Sequence, residues 1–407
     1  MQSIWPRGLV FVIICTRVMK TTARETGKRS NRAALWVTRT RSKTMGRRMW
    51  VPVVLAEVAL LCAICPAQVS PINPPSGWKV PNGAGTCAVG KSCADLAPAM
   101  MKSALGASPL EKNLRDLTNT TGRRVTGSPE AKRAVGWAVQ AFREAGVDEV
   151  HTEKFTIPGG RSGAQAKAAA GRVESENVVA EIRGREEPDE FVLLGAQLND
   201  SSDAALVIDA ARVIHSSGSV PRRSIRFVLF AGEKRRMGGS WAYARAHREE
   251  LDRMSVATLF DGGIGAVSGY SLAGRKEALA PVREALAPLA ALGVKDFTLE
   301  ASINADRLDF ILEGILTLDP NQEPAKEVTN HQAASDVASK IDIPALKRQT
   351  GIAAITAYAL ADTSEPIAKR QSRAEIGQLL KETGLGDEMK TEGFWRAWES
   401  GERGRKQ

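Results

Sequence analysis

Tyrosine is nearly absent, with 3 residues in 407. That leaves little for base stacking, one of the two devices of a nucleic-acid surface. The other device, basic charge clustered on a folded body, is missing too. The formal net charge is +10, yet residues 1–50 hold twelve of the 56 Lys and Arg and only Glu25 of the 46 acids. The rest of the chain carries 44 basic against 45 acidic residues and is nearly neutral. No nucleic-acid partner is expected. Cysteine is sparse as well. Of five, Cys15, Cys62 and Cys65 precede residue 68; only Cys87 and Cys93 follow, separated by Ala-Val-Gly-Lys-Ser. That spacing is not a metal pattern. In an oxidising compartment the two could close a small loop, and in a reducing one they stay free thiols.

A long membrane-spanning run is also lacking. From Met45 the chain reads MGRRMWVPVVLAEVALLCAICPAQ, in which Arg47 and Arg48 precede an apolar stretch interrupted by Glu57. The stretch is short for a span. A charged start, an apolar middle and a small residue near Cys65-Pro66-Ala67 form the layout of an export signal. Residues 45–67 are therefore expected to direct export to a periplasmic or secreted location, with membrane contact only during transit. Residues 1–44, basic and rich in Ser and Thr, read either as a disordered tail or as sequence ahead of a true start at Met45.

Hydrophobic residues make up 43% of the chain, and the length supplies ample core. Residues 68–98 are rich in Pro and Gly and read as a linker. Residues 99–365 read as the folded domain and 366–407 as a charged helical tail. In that tail Leu379, Leu380, Leu385, Phe394, Trp395 and Trp398 suit docking on the body or on a second subunit, so an oligomer stays open. Helical spacing covers 99–117 and 128–146, the second opened by Ser128-Pro129-Glu130. An alternating strand follows over Val147–Ile157.

Strands then alternate with helices. FVLLGA, SIRFVLFA and ATLFD read as buried strands, Ala204–His215, Ser240–Leu251 and Ala278–Leu292 as helices, and Ile343–Ala361 as a long closing helix. The expected class is α/β, a mixed, largely parallel sheet sandwiched between helices. Such sheets keep their chemistry at the carboxyl ends of the strands. Those ends supply Gln197, Asn199 and Asp200, then Glu233-Lys234-Arg235-Arg236, then Asp261; a later loop adds Asn330-His331-Gln332.

The order GAQLND, RSIRFVLFAGEKRRMGGSWAY, LFDGG and NHQAASDVASKIDIPALKR resembles the M28 zinc metallopeptidases, and among them the carboxypeptidase Q branch. The upstream stretch LTNTTGRRVTGSPEAKRAVGWAVQAFREAGV is similar to that branch too. The resemblance covers roughly residues 110–365. It implies a zinc-peptidase-like (phosphorylase/hydrolase-like) fold, a mixed eight-stranded sheet between helices. It also implies two zinc ions that activate a shared water, and hydrolysis of terminal bonds in peptides or dipeptides.

Position by position, the resemblance also implies a damaged site. Where the family has His-x-Asp, this chain has Gln197-Leu198-Asn199. The loop that brings a bridging Asp is cut to Asp-Ser-Ser-Asp, where Asp200 or Asp203 could substitute. Of the family's Glu-Glu pair, Glu233 keeps the general-base position and Lys234 replaces a ligand. Asp261 matches the next ligand. At the last, Gln332 stands in the histidine column, with His331 one residue early. An ammonium about 4 Å from a divalent ion costs several kcal/mol, so zinc binding by this chain is doubtful.

Three readings follow. One is a non-catalytic relative that keeps the fold and a peptide-sized cleft. Another is an active exported aminopeptidase or carboxypeptidase with a remodelled site built on Glu233, Asp261, His331 and Asp200 or Asp203. The third is a decayed copy. Lys234-Arg235-Arg236 could replace the metals' charge and attract a carboxylate. His151 reads as surface, and His215 and His247 as solvent-facing helix ends.

Overall fold

Burial on both faces of the central strands sets the architecture. The computed structural model describes residues 86–87, 91–121, 124, 126–158, 172–232, 238–303, 306–322 and 341–406. All fall in one compact unit, Pro71–Gln407. The expected export segment, residues 45–67, lies outside the described residues, as do Glu233, Lys234, His331 and Gln332. No described helix is long and apolar enough to cross a membrane.

A two-strand hairpin, β1 (Thr86–Cys87) and β2 (Lys91–Ser92), leads into α1 (Cys93–Leu105). The helix expected from residue 99 thus begins six residues earlier and stops at Leu105. A break at Gly106–Pro109 separates it from α2 (Leu110–Thr121). α3 (Pro129–Ala145) keeps its sequence signals: Ser128 caps the Ala131 amide, Pro129 opens the first turn, and Gly146 closes the helix at φ 87°.

Among the described residues, eight strands form the main sheet: β3 (Glu149–Pro158), β4 (Arg172–Ile182), β5 (Glu187–Gln197), β6 (Arg223–Phe230), β7 (Met254–Phe260), β8 (Val267–Ser271), β9 (Asp296–Thr298) and β10 (Thr317–Gln322). Their spatial order is β3-β4-β6-β5-β7-β10-β8-β9. The central four, β6, β5, β7 and β10, run parallel. β3, β4 and β6 pair antiparallel, and β8 returns antiparallel to β10. The mixed, largely parallel sheet read from the sequence is what forms.

Alternation along β5 sorts its side chains to two cores. Val192, Leu194 and Ala196 join the larger cluster with α4 (Ser201–Ser216) and α8 (Ile343–Ala361). Phe191 and Leu193 join the smaller one with Tyr243 of α5 (Gly238–Ala246) and Phe310 of α7 (Arg307–Leu312). The stretch read as one helix over 278–292 is a short α6 (Leu279–Ala285) between two 3-10 turns.

The tail forms α9 (Arg373–Glu382), α10 (Leu385–Glu392) and α11 (Trp395–Glu399). Leu379, Leu380, Leu385, Met389 and Trp398 bury against Leu308, Ile311 and Leu312 of α7. The tail's apolar residues are thus used on the chain's own body. Arg403 adds a buried pair, Nε to Asp309 Oδ1 at 2.6 Å and Nη2 to Oδ2 at 3.2 Å.

Candidate active site

Four parallel strands end on one rim. β5 ends at Gln197, β6 at Phe230, β7 at Phe260 and β10 at Gln322. After β5 the chain turns sharply into α4. Asp200 caps that helix, its Oδ1 accepting from the Ser202 and Asp203 amides at 3.0 and 3.2 Å and from Ser202 Oγ at 2.6 Å. Asp203 sits in the first turn of α4, fully buried. Asn199 Nδ2 donates to Gly232 O at 3.0 Å, tying this turn to the end of β6. Arg124 reaches the same turn, with Nη2 2.5 Å from Asn199 O and 3.0 Å from Ser201 Oγ.

The segment carrying Glu233 is flanked by a buried anchor. Asn177 Oδ1 accepts from Ala231 N at 3.0 Å, and its Nδ2 donates to Gly239 O at 2.9 Å. Gly239 must be glycine here, because a Cβ would meet Ala231 O at 2.2 Å. Beyond β7, Asp261 precedes Gly262-Gly263, and Gly263 O accepts from Gln349 Nε2 at 2.9 Å and Gln322 Nε2 at 3.3 Å.

At the centre lies a pair that sequence reasoning missed. Gln197 Nε2 donates to Asp306 Oδ2, a residue 3% exposed at the start of α7. Burial, joined by the charges of Asp261 and Asp309, raises the Asp306 carboxyl to about 7 against the opposing hydrogen bonds of Ser240 and Gln197. Asp319 on β10 is also raised by burial and by Asp261, while Arg307 Nη1, at 2.6 Å, opposes the shift. Gln197 Oε1 and Asp306 Oδ1 are buried without a hydrogen-bond partner among the described residues. Asp306 and Asp309 stand three residues apart in ASINADRLDF, a spacing that puts two acids on one side of a helix start. That was the available signal.

The structure therefore brings Gln197, Asn199, Asp200, Asp203 and Asp261 to one rim. Gln197 spends its amide nitrogen on the Asp306 carboxyl. Asn199 turns its donor to a carbonyl, Asp200 spends one oxygen on a helix cap, and Arg124 places a cation on the same turn. Among the described residues, no three His, Cys, Asp or Glu are spaced to hold a metal ion as they stand. The described donors do not fit a zinc pair.

The model of peptidase family M28 matches residues 177–357, from β4 to the middle of α8. Over that stretch the chain is similar to family M28. Carboxypeptidase Q of Rattus norvegicus is 24% identical over 206 residues, covering 48% of this chain and 43% of that protein. The Homo sapiens protein is 23% identical over the same length and shares. The chain thus spans less than half the length of these curated M28 relatives. The structure of a peptidase M28 precursor from Shewanella amazonensis superposes with a TM-score of 0.62 at 19% identity, covering 69% of this chain and 99% of that one. An aminopeptidase from an Aneurinibacillus strain gives 0.54 at 15% identity, with 68% and 98% covered. A zinc aminopeptidase of Bacillus subtilis gives 0.52 at 14%, with 67% and 98% covered. At these identities the structures share the M28 fold.

Proposed function

We propose that this chain is an exported M28 relative that binds peptides without hydrolysing them. The single observation carrying this reading is the Gln197–Asp306 pair. An amide cannot accept a proton or ligate zinc as an imidazole does, and here its nitrogen is committed to a buried carboxyl. The Gln197 amide that stands in the imidazole's place is thus part of a packed hydrogen-bond arrangement. The ligand is a short peptide or dipeptide, the substrate class of the family. Its free carboxylate is drawn by the basic run Lys234-Arg235-Arg236. Export rests on the Met45–Ala67 segment.

The test combines metal content and turnover. The purified chain is equilibrated with micromolar zinc, bound zinc is counted by plasma emission, and dipeptide hydrolysis is assayed on the same sample. An Asp261→Asn variant is treated identically. No turnover, with zinc content unaffected by Asp261→Asn, is the expected result. Turnover together with zinc that disappears in Asp261→Asn would establish the remodelled enzyme built on Glu233, Asp261, His331 and Asp200 or Asp203.

A further inference from the structure

We propose that Arg403 is a positioning residue for the strand-end rim: as the pin of a carboxyl-terminal strap it fixes Asp306 against Gln197, and through that pair it sets how tightly the rim holds a peptide, the last part resting on the binding reading above.

The strap is the run of residues 400–405 behind α11, laid along the end of α7. Arg405 N donates to Leu312 O at 2.8 Å, and Arg248 Nη2, just past α5, donates to Gly404 O at 2.9 Å. The approach is so close at Gly404 that a Cβ there would meet Leu312 O at 2.7 Å. α7 needs the support. It has six residues and no side-chain cap, too little to hold a helix by itself. The family-matched stretch ends at residue 357, so the strap lies outside it.

Arg403 stacks over the rings of Trp241 and Phe394, 5.1 Å from each centroid. Its guanidinium grips Asp309 with Nε at 2.6 Å and Nη2 at 3.2 Å. Both residues are buried.

Ser240 carries this contact to the rim. Its hydroxyl donates to Asp309 Oδ2 at 2.7 Å, and it is also a hydrogen-bond partner of the Asp306 carboxyl. A hydroxyl has one hydrogen to give. With Arg403 in place, Asp309 draws two of its bonds from the guanidinium. Without it, two buried carboxyls compete for that one hydrogen, and the charge of Asp309 works against that of Asp306. α7 must then shift to hydrate Asp309, and Asp306 leaves the Gln197 amide with it. Ser240 and Trp241 also sit at the start of α5, which begins at Gly238, directly behind Lys234-Arg235-Arg236. One guanidinium thus bears on the buried acids of the rim and on the helix behind its basic run.

The test compares the full chain with Arg403→Met, Asp309→Asn/Arg403→Met and Arg373→Met. Arg373 stacks on Trp398 at 3.8 Å and donates to Arg405 O at 2.7 Å, so its loss weakens the tail but leaves the pin. Amide exchange read by mass spectrometry follows residues 194–202 under native conditions, and calorimetry follows the dipeptide alanyl-alanine. Arg403→Met is expected to speed exchange there and to weaken the dipeptide, each about tenfold, the size of effect that a change along a packed network has on a distant site. Asp309→Asn/Arg403→Met restores both, since a neutral amide leaves the Ser240 hydrogen to Asp306. Arg373→Met changes neither. If Arg403→Met does not fold, Arg403→Lys takes its place with the same expectations, because it loses the two-pronged grip and keeps the charge. Unchanged exchange in the Arg403 variant, an equal change in Arg373→Met, or no recovery in the double variant each overturns the proposal. Faster exchange with unchanged affinity also overturns it, confining Arg403 to stability. If the original chain binds no alanyl-alanine, the peptide reading fails instead, and the exchange comparison alone decides whether Arg403 positions the rim.

Discussion

His247 Nε2 and Glu153 Oε1 stand 2.7 Å apart and join the end of α5 to the edge strand β3. Burial pushes the imidazole down, but its hydrogen bonds to Glu153 and Glu250 outweigh that and lift it to about 9 from 6.5. A raised folded value means stability that is complete below 6.5 and lost as pH climbs through 9. The protein should therefore lose on the order of 2–3 kcal/mol across that window from this group. His247→Gln should flatten the loss, as urea midpoints at pH 6, 7.5 and 9 would show. On the acid side, Glu250, lowered to about 2 chiefly by its bond to His247, contributes above 4.5 and fades as pH falls toward 2.

Gln197→Leu removes the amide that serves Asp306. The carboxyl then remains buried without that donor, at a cost of about 1–3 kcal/mol. Chemical denaturation should show the loss. A variant as stable as the original would mean that the pair does not hold the rim together.

Arg403→Met leaves the Asp309 carboxylate, 1% exposed, without its guanidinium. Breaking a buried pair this way costs about 3–5 kcal/mol. Asp309→Asn combined with Arg403→Met should recover much of it, because neither charge is then left alone. Melting curves of the single and double variants measure the coupling.

The sheet was legible because its central strands are buried on both faces, so FVLLGA and FVLF (Phe227–Phe230) appear as unbroken apolar runs. The rim was legible for the same reason, since polar residues must follow where such runs stop. α7 was not. It is six residues long, without a side-chain cap, and Asp306 and Asp309 acquire meaning only through Gln197 and Arg403, distant in sequence. His247 was misread as a solvent-facing helix end. ARAHREEL has the composition of an exposed turn, and its partner Glu153 lies on a strand 94 residues earlier.

Lys234→Glu reverses the charge that the functional reading assigns to the peptide carboxylate. Binding of a dipeptide with a free carboxylate should weaken about tenfold, and that of its amide-capped analogue should change little, since a single charge contact at a surface is worth about 1 kcal/mol. Calorimetry with both ligands separates the two. Equal weakening would remove the carboxylate from the reading.

The Asp309–Arg403 pair also sets an order of events during synthesis. The two residues are 94 positions apart. At about 5–20 residues per second, Arg403 emerges roughly 5–20 s after Asp309. Throughout that interval the acid has no guanidinium, so α7 cannot settle as an ionised, buried helix. The strand-end rim that α7 completes is therefore finished only after Arg403 has been made.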